Sequence, residues 1–211
     1  MSSLHAEAGV GPRRRVPTQA RSRRRVEAIL DAAAAVVLED GVEALSTRDI
    51  ARVAGVPVAS LYQYFADKED VLLALVGRDM AEMDEQVLAD LADLAERDHT
   101  VAGVVGTTMA AFVKVYDRRP AFVEVYLRGR TNAAIAQFGR EHNARVARTL
   151  RAYAVDLGVL RPDLTDAMAE LAVEVGDRVF QLAYEKRRGG DRALVAEGLA
   201  MVTAYLERYA A

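Results

Sequence analysis

The chain has 211 residues, 52% of them hydrophobic, and no cysteine. That is length enough for one large or two modest domains with a real core, while the missing cysteine excludes a disulfide framework, a thiolate metal site and a thiol nucleophile, and fits a reducing cytoplasm. The formal charge of −3 argues against general affinity for nucleic acid, yet seven arginines and no acid lie between Pro12 and Arg25; a basic end on an acidic body points to local contact with phosphate.

Few Gly, Pro and aromatic residues among many Ala and Leu favour helix throughout. The expected fold is all-α, with about nine helices. No apolar run approaches a membrane span, and the N-terminus lacks the apolar stretch of a signal peptide, so a soluble, cytoplasmic protein is expected.

Residues 1–17 read as a disordered basic tail, broken by Gly9, Gly11, Pro12 and Pro17. Arg13, Arg14 and Arg15 either stay solvated or form an arm that reaches phosphates or the minor groove. Thr18 can cap a helix to about residue 39, with Val26, Ile29, Leu30, Ala33, Val36 and Val37 on its apolar face. Arg21, Arg23, Arg24 and Arg25 crowd its first turns. Cations there oppose the helix dipole, and DNA phosphate would offset them. Gly41 ends the helix.

The stretch from 46 to 72 reads as a helix, a tight turn, a second short helix and the start of a third. Ser46 is a good N-cap, and Asp49 three residues on can reach back to its backbone amide. Gly55 stops the first helix, and Pro57 suits the start of the next, where a missing N–H costs nothing. Asp67 caps the third at Lys68. The short helix, 58–64, cannot stand alone; Leu61 and Phe65 can anchor it at i, i+4. Val58, Ala59, Ser60, Tyr62, Gln63 and Tyr64 then have little core duty. A short helix pinned on one face, with small and polar groups on the other, is what a major-groove recognition helix requires.

This stretch resembles the DNA-binding domain of the tetracycline-repressor (TetR-type) family of one-component bacterial regulators. Thr47, Ile50, Ala51, Ala54, Gly55, Val56, Leu61, Tyr62, Tyr64, Phe65, Lys68, Glu69 and Leu72 carry the match, all in register. It covers residues 18–75; beyond them only helix order and length agree. The sequence departs from the family pattern at Pro57, usually a capping Ser, and at Val58, often polar. The resemblance implies DNA contacts from Arg24, Thr47, Arg48, Val58, Ala59, Ser60, Tyr62, Tyr64 and Lys68. Thr47, Tyr62 and Tyr64 offer hydroxyls to phosphate, and Lys68 with its helix N-terminus adds positive charge. Arg48 suits phosphate or a guanine edge, and Val58 and Ala59 suit a thymine methyl. Ordinary core packing is the competing reading for Tyr62 and Tyr64.

The helix from Lys68 keeps its rhythm to about 97, turning acidic in its second half. The domain boundary therefore falls inside it, near Gly77: residues 18–76 form the helix-turn-helix domain and 77–211 a helical ligand-binding and dimerisation domain. Further helices are expected at 100–117, 121–129, 131–157, 162–188 and 191–209, the last capped by Asp191. Leu164, Met168, Leu171, Val175, Val179 and Leu182 line one face of the penultimate helix. Leu194, Val195, Leu199, Val202, Tyr205 and Leu206 stripe the last. Two such helices from each of two chains would form a four-helix bundle, giving a homodimer; a large monomer core is the alternative. A dimer would present two recognition helices about one DNA turn apart, to a palindrome.

Met83, Val87, Phe112, Tyr116, Tyr126 and Phe138 can line an apolar cavity, with Arg128, Asn132, Gln137, His142, Asp177 and Gln181 as candidate polar groups. Plain core packing is the competing reading for each. Of the three histidines, His5 lies in the tail and His99 in a loop. His142 follows Glu141 directly, where side chains on a helix diverge. No HExxH, glycine-rich phosphate loop or nucleophile elbow occurs, so no catalytic site, metal or cofactor is expected.

The expected function is a sequence-specific transcription regulator, a repressor released from a palindromic operator by an unknown small-molecule effector, associated with the nucleoid when bound. The alternative is a helical carrier without sequence-specific DNA binding.

Overall fold

A computed structural model describes residues 16–94, 100–129 and 133–211. The expectations for Arg13–Arg15, His5, His99 and Asn132 lie outside the described residues. The described chain forms α1 (Val16–Asp40), α2 (Thr47–Val53), α3 (Val58–Leu61), α4 (Lys68–Leu94), α5 (Val101–Arg118), α6 (Pro120–Phe122), α7 (Ala133–Asp156), α8 (Asp166–Tyr184) and α9 (Arg192–Glu207). A π-helical turn, Val123–Leu127, continues α6. Among the described residues there is no strand, only an isolated antiparallel bridge between Leu160 and Ala210.

Three boundaries differ from expectation. Helix α1 already includes Val16 and Pro17, so Thr18 lies inside it and is not its cap. Helix α8 starts at Asp166, not near Pro162. Thr165 caps it by accepting the Met168 amide at 3.3 Å. The Arg151 guanidinium ties the preceding loop to α7 through the carbonyls of Leu164 and Pro162. Helix α3 spans only four residues, its chain finishing in a turn through Tyr64.

Helices α1 to α3 close around Ile29, Val37, Ile50, Leu61 and the start of α4, where Val71, Leu75 and Val76 are fully buried. Val53, apolar but 44% exposed, faces away from this core. Helix α4 then runs on into the second half and packs against α5 and α7, while α8 packs on α7 and α9. The π turn touches both α1 and α8.

An ion network crosses the junction. Asp79 of α4 is 1% exposed. It accepts from Arg78 Nε at 3.1 Å and lies 3.7 Å from Arg119 Nε. Arg78 also grips Asp31 of α1 at 2.7 Å and Glu27 at 3.3 Å, and Arg119 grips Glu82 at 2.6 Å. Burial raises the Asp79 carboxyl above its ordinary range despite both arginines, as desolvation of a charge requires.

Leu61 is the deepest anchor of α3. Leu61→Ala should lower the stability of the fold by about 3 kcal/mol, measured by urea unfolding, whereas Ala59→Ser on the exposed side of the same helix should change it by less than about 0.5 kcal/mol.

Candidate functional site

The N-terminal site is built from two caps and one glycine. The Ser46 hydroxyl accepts the Asp49 amide at 3.2 Å and donates to Asp49 Oδ2 at 2.5 Å. Asp49 thus meets the Ser46 hydroxyl, not its backbone amide as expected. That bond holds the Asp49 carboxyl below its ordinary range. Gly55 takes φ +64°, a left-handed conformation that side chains resist, and turns the chain from α2 to α3. Asp67 caps α4 by accepting the Asp70 amide at 2.9 Å.

With Leu61 fully buried, Ala59, Tyr62 and Gln63 face outward, and Tyr62 is 53% exposed. The Tyr62 and Thr47 hydroxyls are 3.1 Å apart, which joins the rim of α2 to α3. Arg24 and Arg48 are exposed; Thr47, Ser60 and Lys68 are half-buried. Val58 and Tyr64, expected on the DNA side, are half-buried against the core instead. They stand three residues before and after Leu61, on the face it buries. Gln63, absent from the expected contacts, is exposed. Its place four residues after Ala59 was the available signal, and its amide suits an adenine edge.

The second site is a cavity of about 90 Å³ between α5, α7, α8 and the end of α9. Its wall is almost wholly apolar, carried by residues such as Val104, Met109, Leu150, Ala172, Gly176 and Phe180. The volume is well below the ~300 Å³ of ordinary small-molecule pockets. Of the expected lining residues, Phe112 and Asp177 border it. Tyr126, Arg128 and Gln181 border an adjoining polar vestibule of about 460 Å³, which shares Asp177.

The other expected lining residues have different places. Met83 is buried core, and Val87 borders an outer groove between α4 and α7. Tyr116 is stacked on Phe122 and edge-on to Phe180 and Tyr184. Phe138 packs over Gly77. His142 pairs with Asp84 at 2.9 Å. Leu164 and Val202, expected at a dimer interface, are buried in the subunit and line the cavity, as does half-buried Leu206. A stripe read by period alone cannot tell which of two apolar faces turns inward, and here the loop before α8 folds Leu164 under α7.

Asp177 sits where cavity and vestibule meet. It accepts from Gln181 at 2.8 Å and from the Tyr126 hydroxyl at 3.5 Å. Burial pushes its carboxyl up to about 6, Glu174 adds to the rise, and the bonds from Gln181, Asn143 and Tyr126 oppose it. Burial and the nearby Asp177 raise the Tyr126 hydroxyl too. The Tyr126 ring lies against Gly139 so closely that a Cβ there would be 2.5 Å from its hydroxyl oxygen.

On the outer faces of α8 and α9, Met168, Leu171, Leu182, Leu194 and Met201 are exposed. Val175, Val179, Val195, Leu199 and Tyr205 are half-buried beside them. No helix among the described residues is long and apolar enough to cross a membrane.

Two family models match. Bacterial regulatory proteins of the tetR family match residues 29–75, and the Tetracyclin repressor-like C-terminal domain matches 100–206. The N-terminal part is similar to the fatty acid metabolism regulator protein of Bacillus subtilis, 34% identical over 77 residues, 36% of this chain and 40% of that one. It is also similar to the HTH-type transcriptional repressor KstR of Mycolicibacterium smegmatis, 38% identical over 73 residues, 35% of each chain. The match thus spans 40% or less of these relatives' length. The fold is similar to a crystal structure of a TetR-family transcriptional regulator from Streptomyces coelicolor. The TM-score is 0.71 at 29% identity, over 88% of this chain and 99% of that one.

The Asp177 carboxyl titrates near 3.8 when unperturbed and at about 6 in the fold. The folded chain therefore holds that proton more tightly, and stability falls as pH climbs between the two values. Asp177→Asn should raise stability at neutral pH by on the order of 2–3 kcal/mol, with the gain vanishing in acid below the lower value. Unfolding in urea at both pH values checks this.

Proposed function

This chain belongs to the TetR family of bacterial regulatory proteins, and from that premise we propose that it is a cytoplasmic homodimeric repressor, released from a palindromic operator by a small molecule. The observation that carries the reading is the exposed edge of α3. Ala59, Tyr62 and Gln63 stand clear of a helix pinned by Leu61, with the Thr47–Tyr62 hydroxyl pair at its rim. Thr47, Arg48, Lys68 and Arg24 position the phosphates; Ala59, Ser60 and Gln63 read base edges. The relatives are regulators, and this chain acts by binding, with no catalytic step.

One α3 buries too little surface for a specific site, so two are needed. The exposed apolar groups of α8 and α9 supply the second copy, forming a four-helix bundle centred on Leu171, Val175, Leu182, Leu194 and Met201. The effector enters the cavity among α5, α7 and α8. A cavity this narrow must widen to hold it, and α5 and α7 both pack on α4. Helix α4 then swings, the two α3 helices change spacing, and operator affinity falls. The effector must bind the two arrangements unequally for this to happen.

Selection of bound duplexes from a random pool should return a palindrome with half-sites about one helical turn apart; a pool left unenriched would overturn the reading. Tyr62→Phe should weaken binding about tenfold on every sequence, because it removes one phosphate-directed hydroxyl. Gln63→Ala should instead relax the preference at one base pair by about 1–3 kcal/mol. Leu171→Arg should yield monomers in sedimentation and abolish operator binding while leaving the helical content unchanged.

A further inference from the structure

The cavity and its polar end constrain the ligand that the reading above leaves open, and this inference rests on that reading. The lining runs from Ala169 to Phe180 along α8, about 16 Å at the helical rise. A volume of about 90 Å³ spread over that length is a bore narrower than one hydrocarbon chain, which an effector must open. Ala172, Gly176 and Phe180 floor it at i, i+4 and i+8, and a Cβ at Gly176 would meet nothing within 4 Å. Opening such a bore for an unbranched apolar chain displaces its walls less than a fused ring system would. The loop held by Arg151 and the end of α9 close one end.

Asp177 stands at the other end. Among the described residues no cation lies within ion-pair distance of it or of Glu174, one turn earlier on α8. Arg128 is taken by Glu124, Arg178 bonds Gln181, and Arg140 bonds Gln137. Asn143 gives Glu174 its amide at 3.1 Å. Phe112 and Phe180, 5.9 Å apart, border the bore beside Asp177. A half-buried carboxylate that takes only neutral donors among the described residues, set beside aromatic faces, favours a cation, by charge and by the ring quadrupoles.

We propose that the effector is a single-chain amphiphile with a cationic head: the chain lies in the bore along α8, and an ammonium group sits between Asp177 and the Phe112, Phe180 and Tyr126 rings. An anionic head would face both carboxylates, and only the outer guanidiniums of Arg140 and Arg178 would welcome it.

Titration calorimetry on the full chain, with probes below their micellar concentrations, tests this. Dodecyltrimethylammonium and dodecylamine should bind, one per chain. Dodecanoate, dodecyl sulfate and tail-less tetramethylammonium should bind at least about tenfold more weakly. Asp177→Asn, which should fold at least as stably, should weaken the cations about thirtyfold. Gly176→Met fills the bore and should abolish binding while keeping the fold. Cation affinity should rise as pH climbs through about 6, where Asp177 ionises, and stay level in Asp177→Asn. The other titratable groups around Asp177 are Glu174, Tyr116, Tyr126, Arg128, Arg140, Arg178 and Glu185. Burial keeps both tyrosines protonated across that range. Anions binding as tightly as cations, or cations indifferent to Asp177→Asn, would overturn the head-group inference and leave an effector site in the bore standing. No binding by any long-chain probe would overturn both.

Discussion

A helix of four residues makes too few internal hydrogen bonds to persist in water, so α3 exists only because Leu61 is driven into the core between α1 and α4. Everything at the DNA end follows from that anchor. It decides which of the remaining side chains are free, and it withdraws Val58 and Tyr64 along with itself. It also fixes the angle at which Ala59, Tyr62 and Gln63 project. The Ser46 cap, the left-handed Gly55 and the Asp67 cap serve the same end, since each removes a conformation in which Leu61 would be exposed.

Helix α4 belongs to both halves, and the Asp79 network fastens it to each. Arg78 reaches back to Asp31 and Glu27 on α1, and Arg119, at the start of α6, closes the other side. A buried carboxylate bound by two arginines costs desolvation and adds little net stability, but it tolerates few geometries. Displacing α6 would leave Asp79 short of a partner, and α1 is tied to the same cluster. The π turn that follows α6 carries Tyr126 to Asp177 and touches α1 as well. The floor of the cavity and the DNA end thus meet through contiguous packed elements, as energetic coupling requires.

Large aromatic residues such as Tyr116 and Phe122 lie packed on one another away from the lining of the cavity, while Gly176 and Ala172 leave room in a wall otherwise made of Phe112, Phe180 and aliphatic side chains. Gly139, under the Tyr126 ring, lets α7 approach the π turn closely at that point.

Much of this was legible in order along the chain. Helix type and sequence follow from local periodicity and caps. That Arg48 and Tyr62 stay exposed beside the buried Leu61 was readable because a short helix with one anchoring pair leaves few choices. The cavity was not. Of the residues expected there, Phe112 and Asp177 border it, and Leu164 and Val202 were read as an outer face. An apolar side chain is equally suited to a core, a cavity wall or a subunit contact, because burial of hydrocarbon has no preferred partner. By itself the sequence determined the all-α order, the helix-turn-helix and its outward polar edge, since these depend on interactions within a few residues. Only the tertiary structure decided where the cavity lies and that Asp177 borders both it and the polar vestibule, because both depend on how helices distant in the chain are spaced.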